Sequence, residues 1–296
     1  MTVEKYLYYL PTLPIPRLPP SNMPTSPIVT AAWLHNYLAQ ESNPNLTIVD
    51  CRFALGDPDL GKKQYETAHL PGSYYLDLNR DLSSPAGVHG GRHPLPDDRV
   101  LGAKLAAMGI DADTLVIAYD DSRFGFAARL WWLLRYYGHE RVALLDGGYS
   151  NWVKAGYSVT GDLPVVAAHG NFQPQIQSEA IVDIDRVRAI QQSPTHVLID
   201  SREPDRYQGK TELIDPIAGH IPSAVNYPWQ GVSTPEGFVL PIEEQQQRWA
   251  AISPKIEPIV YCGSGVTACV NLFSLNLAGI EGAKLYPGSW SDWISY

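Results

Sequence analysis

Residues 258–269 read Pro258-Ile259-Val260-Tyr261-Cys262-Gly263-Ser264-Gly265-Val266-Thr267-Ala268-Cys269. A short apolar run ends at Tyr261, a glycine-bearing turn follows, and a stretch with helical spacing opens at Thr267. Strands that pass into helices in this way build parallel sheets covered on both faces. In such sheets ligands sit beyond the carboxyl ends of the strands, and Cys262 is the first residue past that end. Gly263 and Gly265 allow the curvature and positive φ that a cradle of backbone N–H groups needs. The following helix points the positive end of its dipole at the sulfur. This setting favours a nucleophilic, anionic sulfur over an inert buried thiol, and a persulfide on the same atom would be held by the same donors.

The same alternation runs through the chain from Pro27 on. Apolar, β-rich runs predict strands over 46–50, 115–119, 142–145, 196–200, 258–261 and 283–286. Amphipathic stretches predict helices over 31–40, 100–108, 126–137, 184–191, 242–251 and 267–278. The fold class is therefore α/β, with mainly parallel sheets flanked by helices on both faces.

An internal repeat organises these elements. Asp50-Cys51-Arg52 returns as Asp200-Ser201-Arg202, and His69-Leu70-Pro71 as His220-Ile221-Pro222. Ile117-Ala118-Tyr119-Asp120 returns as Ile259-Val260-Tyr261-Cys262, and Gly148 with Trp152 as Gly288 with Trp293. The offset is 151 at the His landmark and 142 at the Asp120/Cys262 landmark. About nine extra residues therefore lie between those landmarks in the first copy. A unit this long is a duplicated domain rather than a solenoid repeat. The expected division is a Pro-rich arm over 1–27, one domain over 28–165 and a second over 166–296, with the seam in the polar stretch 161–177. The arm's Pro11-Thr12-Leu13-Pro14-Ile15-Pro16-Arg17-Leu18-Pro19-Pro20 cannot continue a helix or a central strand, and Met23 is a second possible start. The arm lacks the pattern of a signal peptide.

Twenty-two basic against 31 acidic residues give a net charge of −9. That balance argues against nucleic acid or an anionic membrane as partner, since both call for basic patches. No apolar run approaches the ~20 residues of a membrane span. Three cysteines in 296 residues are not a disulfide framework. The expected location is a reducing, cytoplasmic one. No zinc spacing and no Gly-Lys phosphate loop is present, so no cofactor is expected.

The loop Cys-Gly-Ser-Gly-Val-Thr-Ala over 262–268 resembles the active-site loop of the 3-mercaptopyruvate branch of the rhodanese superfamily. From about Pro27 to the C-terminus the chain resembles tandem-domain rhodaneses. Asp200-Ser201-Arg202, Arg206-Tyr207-Gln208-Gly209, Gly219-His220-Ile221-Pro222 and Pro287-Gly288-Ser289-Trp290-Ser291-Asp292-Trp293 carry the likeness further. The resemblance implies a catalytic second domain and a degenerate first one, where Asp120 stands in place of the cysteine. It implies a two-step transfer in which Cys262 takes sulfur from a small donor as a persulfide and gives it to a thiol, such as that of thioredoxin, or to cyanide.

On the same resemblance, Arg206 is the substrate-binding arginine, a fork suited to a carboxylate or sulfonate-like anion. A surface ion pair with Asp205 or Glu203 is the alternative for this side chain. Gly263, Ser264, Gly265, Val266 and Thr267 form the loop around the donor, with Ser264 able to hydrogen-bond it or relay a proton. His69 matches a histidine assigned to the site from across the domain interface, with Asp59 to orient it; since His220 repeats it, a scaffold role competes. The branch's second arginine falls on Leu213 here, leaving Lys210 as a substitute of different geometry. Cys269 and Cys51 read as core. Thiosulfate is the alternative donor, although its loops usually carry cations after the cysteine, where Gly263 and Ser264 are neutral. A Cys-x5-Arg phosphatase fails on Ala268, and a non-catalytic sulfur-binding module remains a further alternative.

Overall fold

A computed structural model describes residues 26–40, 45–165 and 169–296. Residues 1–25 of the Pro-rich arm lie outside the described residues, as do 166–168 within the expected seam. The first half contains β1 (Ile28–Val29), α1 (Ala31–Leu38), β2 (Leu46–Asp50), α2 (Leu60–Thr67), β3 (Tyr74–Tyr75), α3 (Asp98–Ala107), β4 (Leu115–Tyr119), α4 (Ala127–Tyr136), β5 (Val142–Leu145) and α5 (Gly148–Lys154). The second contains α6 (Ile184–Ile190), β6 (His196–Asp200), α7 (Pro204–Tyr207), β7 (Val225–Asn226), α8 (Ile242–Trp249), β8 (Glu257–Tyr261), α9 (Ala268–Leu277), β9 (Lys284–Leu285) and α10 (Ser289–Trp293).

Two parallel sheets result, in the orders β1-β5-β4-β2-β3 and β7-β6-β8-β9. The second repeats the first with one edge reduced. Where β1 pairs with β5, the second sheet keeps a single parallel bridge, Ile181 to Leu285. The Asp-x-Arg landmarks explain part of the duplication. Arg52 and Arg202 each fold back on the aspartate two residues earlier, at 2.6 and 2.7 Å. Each also donates to a carbonyl on the next loop, Ala68 and Gly219 respectively. Both ion pairs are buried at the carboxyl end of a central strand. There they satisfy polar groups that would be costly to leave unpaired.

Helix starts follow their caps. Thr30, Asp97 and Asp183 accept backbone N–H groups of α1, α3 and α6. Asp97 starts α3 at Asp98, two residues before the predicted bound. Along the strands, side chains alternate between faces. Ile48, Leu115, Ile117 and Ala143 pack on α1 and α5's side, and Val49, Val116, Ala118 and Leu144 on the other. That second layer does not end at the domain. It runs through α4 and α9 into the core of the second sheet as one cluster. Trp131 meets Phe273 edge-on at 5.2 Å, so this tryptophan packs between domains and not only on its own sheet.

Candidate active site

Cys262 follows β8 at the carboxyl end of the sheet and lines a cleft of about 720 Å³ between the two domains. Gly263, Ser264, Val266 and Thr267 line the same cleft, as does Arg206 on α7. Gly265 completes the loop at φ +77°, where a Cβ would meet Pro287 O at 2.3 Å, so only glycine closes this turn. The loop's carbonyls are held from outside. Trp290 N–H donates to Cys262 O and Ser291 N–H to Gly263 O, both from α10. Cys262 N–H donates to Ser289 Oγ. Gly265 O accepts from Arg129 Nη1 at 2.9 Å, across the domain boundary.

The loop's inner face is different. Among the described residues, none of the five amide N–H groups from Gly263 to Thr267 has a protein acceptor. They lie in the turn between Cys262 and the N-terminus of α9. The first domain shows what such a cradle holds. There Asp120 takes Cys262's place, and its carboxylate accepts from the N–H groups of Ser122, Phe124, Phe126 and Ala127 at 2.8–3.1 Å. Burial pushes the Asp120 carboxyl above its ordinary range, against these four bonds that pull it down.

Arg206 carries neither of the ion pairs offered as its alternative, with Asp205 or Glu203. It donates to Glu212 from Nε and Nη2 and to Asp215 from Nη2 at 3.1 Å. Nη1 faces Gly263. Lys210 sits outside, on Asp205, and Leu213 is 95% exposed at the rim.

His69 does not reach the cleft. Its ring is fully buried, stacked on Tyr65, with Nδ1 against Tyr65 O and Nε2 against Asp162 O. His220 repeats the arrangement on Tyr207, so both histidines are scaffold. Asp59 pairs with Arg80 at the surface. The histidine at the cleft is His93, which the sequence pattern did not single out. Its Nδ1 lies 2.7 Å from Ser264 Oγ and its Nε2 3.2 Å from Asn79 Oδ1. An acceptor at Nε2 places the ring proton there and leaves Nδ1 to receive the serine hydroxyl. Burial first, then Arg129 and Arg92, push its pKa down to about 4, so the ring is neutral near pH 7.

Arg92, the neighbour of His93, also enters the cleft. The signal that could have found both is the duplication itself, since 92 and 93 fall between the landmarks where the first copy carries its surplus residues. Cys269 stays buried behind the loop, its thiol pushed up to about 12 by burial and held down by Arg129. Cys51 is buried beside Asp50 and raised well above the usual thiol range.

Fold and site together define a tandem α/β protein with one cysteine loop facing a cleft between two copies of the same unit. The chain belongs to the rhodanese family: the rhodanese-like domain model matches residues 30–155 and 183–296. It is 43% identical to a Pseudomonas aeruginosa protein named "Probable 3-mercaptopyruvate sulfurtransferase", over 92% of this chain and 96% of that one. It is 31% identical to the thiosulfate sulfurtransferase of Rattus norvegicus, over 90% of this chain and 91% of that one. The crystal structure of SseA from Escherichia coli, reported for the fold and mechanism of 3-mercaptopyruvate sulfotransferases, superposes with a TM-score of 0.77. It is 30% identical and covers 90% of this chain and all of that one.

Proposed function

We propose that this chain is a sulfurtransferase that takes sulfur from 3-mercaptopyruvate onto Cys262 and passes it to a thiol or to cyanide. The observation that carries this reading is the set of loop amides beside Cys262 that have no protein acceptor, next to a first-domain loop whose amides donate to a fixed carboxylate.

In the first step the Cys262 thiolate attacks the donor's sulfur. An S–S bond forms, the donor's C–S bond breaks, and its electron pair stays on carbon as the pyruvate enolate. The proton of the donor's SH ends on that carbon, giving pyruvate and an anionic persulfide. In the second step cyanide attacks the outer sulfur, the S–S bond breaks, and thiocyanate leaves a Cys262 thiolate; a thiolate acceptor follows the same course. The loop amides stabilise the anionic outer sulfur, and the α9 dipole adds to them. Ser264, bonded to a neutral His93, has a hydroxyl able to accompany the proton to the enolate.

A dithiol protein such as thioredoxin and a cytoplasmic setting belong to the same proposal. The three cysteines, all unpaired, are in keeping with a reducing compartment. Thiosulfate is the second reading, favoured by one observation: Arg92 and Arg206 both stand beside Gly263, where their N–H groups suit sulfonate-like oxygens as well as a carboxylate. Side-by-side steady-state assays with both donors and with cyanide decide between them. A mass gain of one sulfur atom on Cys262 after donor alone is the accompanying sign. Absence of that gain with either donor would sink the proposal.

A further inference from the structure

A groove of about 450 Å³ crosses the domain boundary on the side remote from Cys262. Trp131 and Tyr136 of α4 line it from the first domain, and Ile280 and Glu281 from the second. Glu140, just before β5, and Ala283, just before β9, place it at the amino ends of both sheets, whereas Cys262 follows the carboxyl end of β8. Tyr136 and Ile280 are only partly buried, so the groove presents apolar surface to solvent. Trp131 is buried, and its Nε1–H has no acceptor among the described residues. Arg135 and Glu140 neutralise each other at 3.0 Å. Glu281 is exposed, and the nearby Lys284 serves Glu179 and Glu257 instead. The groove is left with one net negative charge.

The described chain opens beside this groove. Pro27 O accepts the Leu144 N–H at 2.9 Å, and Ile28 is in register with Leu144 at the edge of the first sheet. Ile28 packs on the α4 layer, the side on which the groove lies. Ser26 therefore stands at about the level of Val142, two residues beyond Glu140. Twenty-five residues precede Ser26. Within them, residues 11–20 hold five prolines and a single charge, Arg17. A polyproline II helix turns every three residues. On that period Ile15 and Leu18 form one apolar ridge, Leu13, Pro16 and Pro19 a second, and Arg17 falls on the third with Pro14 and Pro20. Nine residues separate Arg17 from Ser26, about 30 Å at full extension.

We propose that residues 13–20 seat in this groove, with the two apolar ridges against Tyr136 and Ile280 and Arg17 at Glu281. Proline-rich segments suit aromatic-lined grooves because the helix is preformed and loses little entropy on docking. Proline brings a carbonyl and no N–H, and the groove's Trp131 has the converse need, a donor without an acceptor. The arm's one positive charge meets the groove's one negative charge. Seated this way, the arm straps α4 to the turn after α9, across the domain boundary and away from the sulfur chemistry.

Trypsin tests this, because it cuts after Arg17 and also after Lys5, which lies outside the proline-rich run and serves as the reference bond. Cleavage rates at both bonds are measured in the unaltered full chain and in a synthetic peptide of residues 1–25. In the full chain the Arg17-to-Lys5 rate ratio should lie about tenfold below the peptide's, as for a bond that is open one tenth of the time. Glu281→Lys, at an exposed position, should bring the ratio back toward the peptide's. So should Ile15→Ser, read against a peptide with the same change, which leaves every described residue as it is. A full-chain ratio equal to the peptide's, or protection that survives both variants, would overturn the proposal. Protection that grows with protein concentration would overturn it as well, by seating the arm on a second copy. The readout uses no sulfur donor, so its outcome is separate from that of the functional reading.

Discussion

His93 Nδ1 lies 2.7 Å from Ser264 Oγ, so a ring carried by the first domain is bonded to the cysteine loop of the second. The ring is buried and neutral down to about pH 4, whereas in the unfolded chain a histidine takes up a proton near pH 6.5. Between those values the unfolded state binds more protons, so stability falls as pH drops from about 6.5 to 4, and the contribution is complete above 6.5. The shift corresponds to a loss on the order of 3 kcal/mol. Denaturant midpoints at pH 5 and pH 7 check this. The gap between them should shrink in His93→Gln, and an undiminished gap would place the pH dependence elsewhere.

Cys262→Ser should abolish transfer from either donor, since a serine hydroxyl neither ionises readily nor forms a persulfide. Cys269→Ser should keep most turnover. Its thiol is buried, is pushed up to about 12, and its Sγ is turned to the back of the loop at Gly265 O. Turnover assays on both variants settle the matter; equal inactivity would mean that the loop uses two thiols.

Asp120→Asn should lower stability and leave kcat/KM near its starting value. An amide keeps one acceptor oxygen and turns an NH2 toward two of the four N–H donors now facing the carboxylate. Two buried donors lose their partner, at a cost of about 1–3 kcal/mol each. Thermal unfolding should show a drop of several degrees. An unchanged melting temperature would show that water takes over the cradle.

A fragment of residues 169–296 should aggregate or be poorly active. It would bare the α9 face that now packs on α4, including Phe273 against Trp131. It would also lack Arg92, His93 and the Arg129 bond to Gly265 O. Light scattering and a donor assay on the fragment test this, and full activity would remove the first domain from the site.

The central strands were legible because each is built on a short apolar run whose residues are largely buried on both faces. The predicted runs 46–50, 115–119, 142–145 and 196–200 are the strands observed. The two-residue edge strands β1, β3 and β7 carry no such run, because an edge needs little pairing and little burial. Helix α2 buries only Gly61 and Tyr65 and so presents no apolar stripe to read. The cysteine loop was legible because strand, turn and helix follow one another in sequence. Arg92 and His93 were not, since they sit in an irregular stretch whose position depends on bonds to α10, some 200 residues away. His69, whose landmark is repeated at His220, lies buried away from the cleft.

The four N–H bonds to Asp120 give the two halves of the molecule different histories within one catalytic cycle. The first loop closes on its anion as the chain folds and never lets go. On the proposed chemistry the second loop's amides meet an anion only while sulfur is aboard. On the proposed chemistry, the transferred atom is also a temporary piece of the architecture. An acceptor must therefore overcome the loop's amides as well as the S–S bond, which favours partners that press into the cleft over those that merely collide with it.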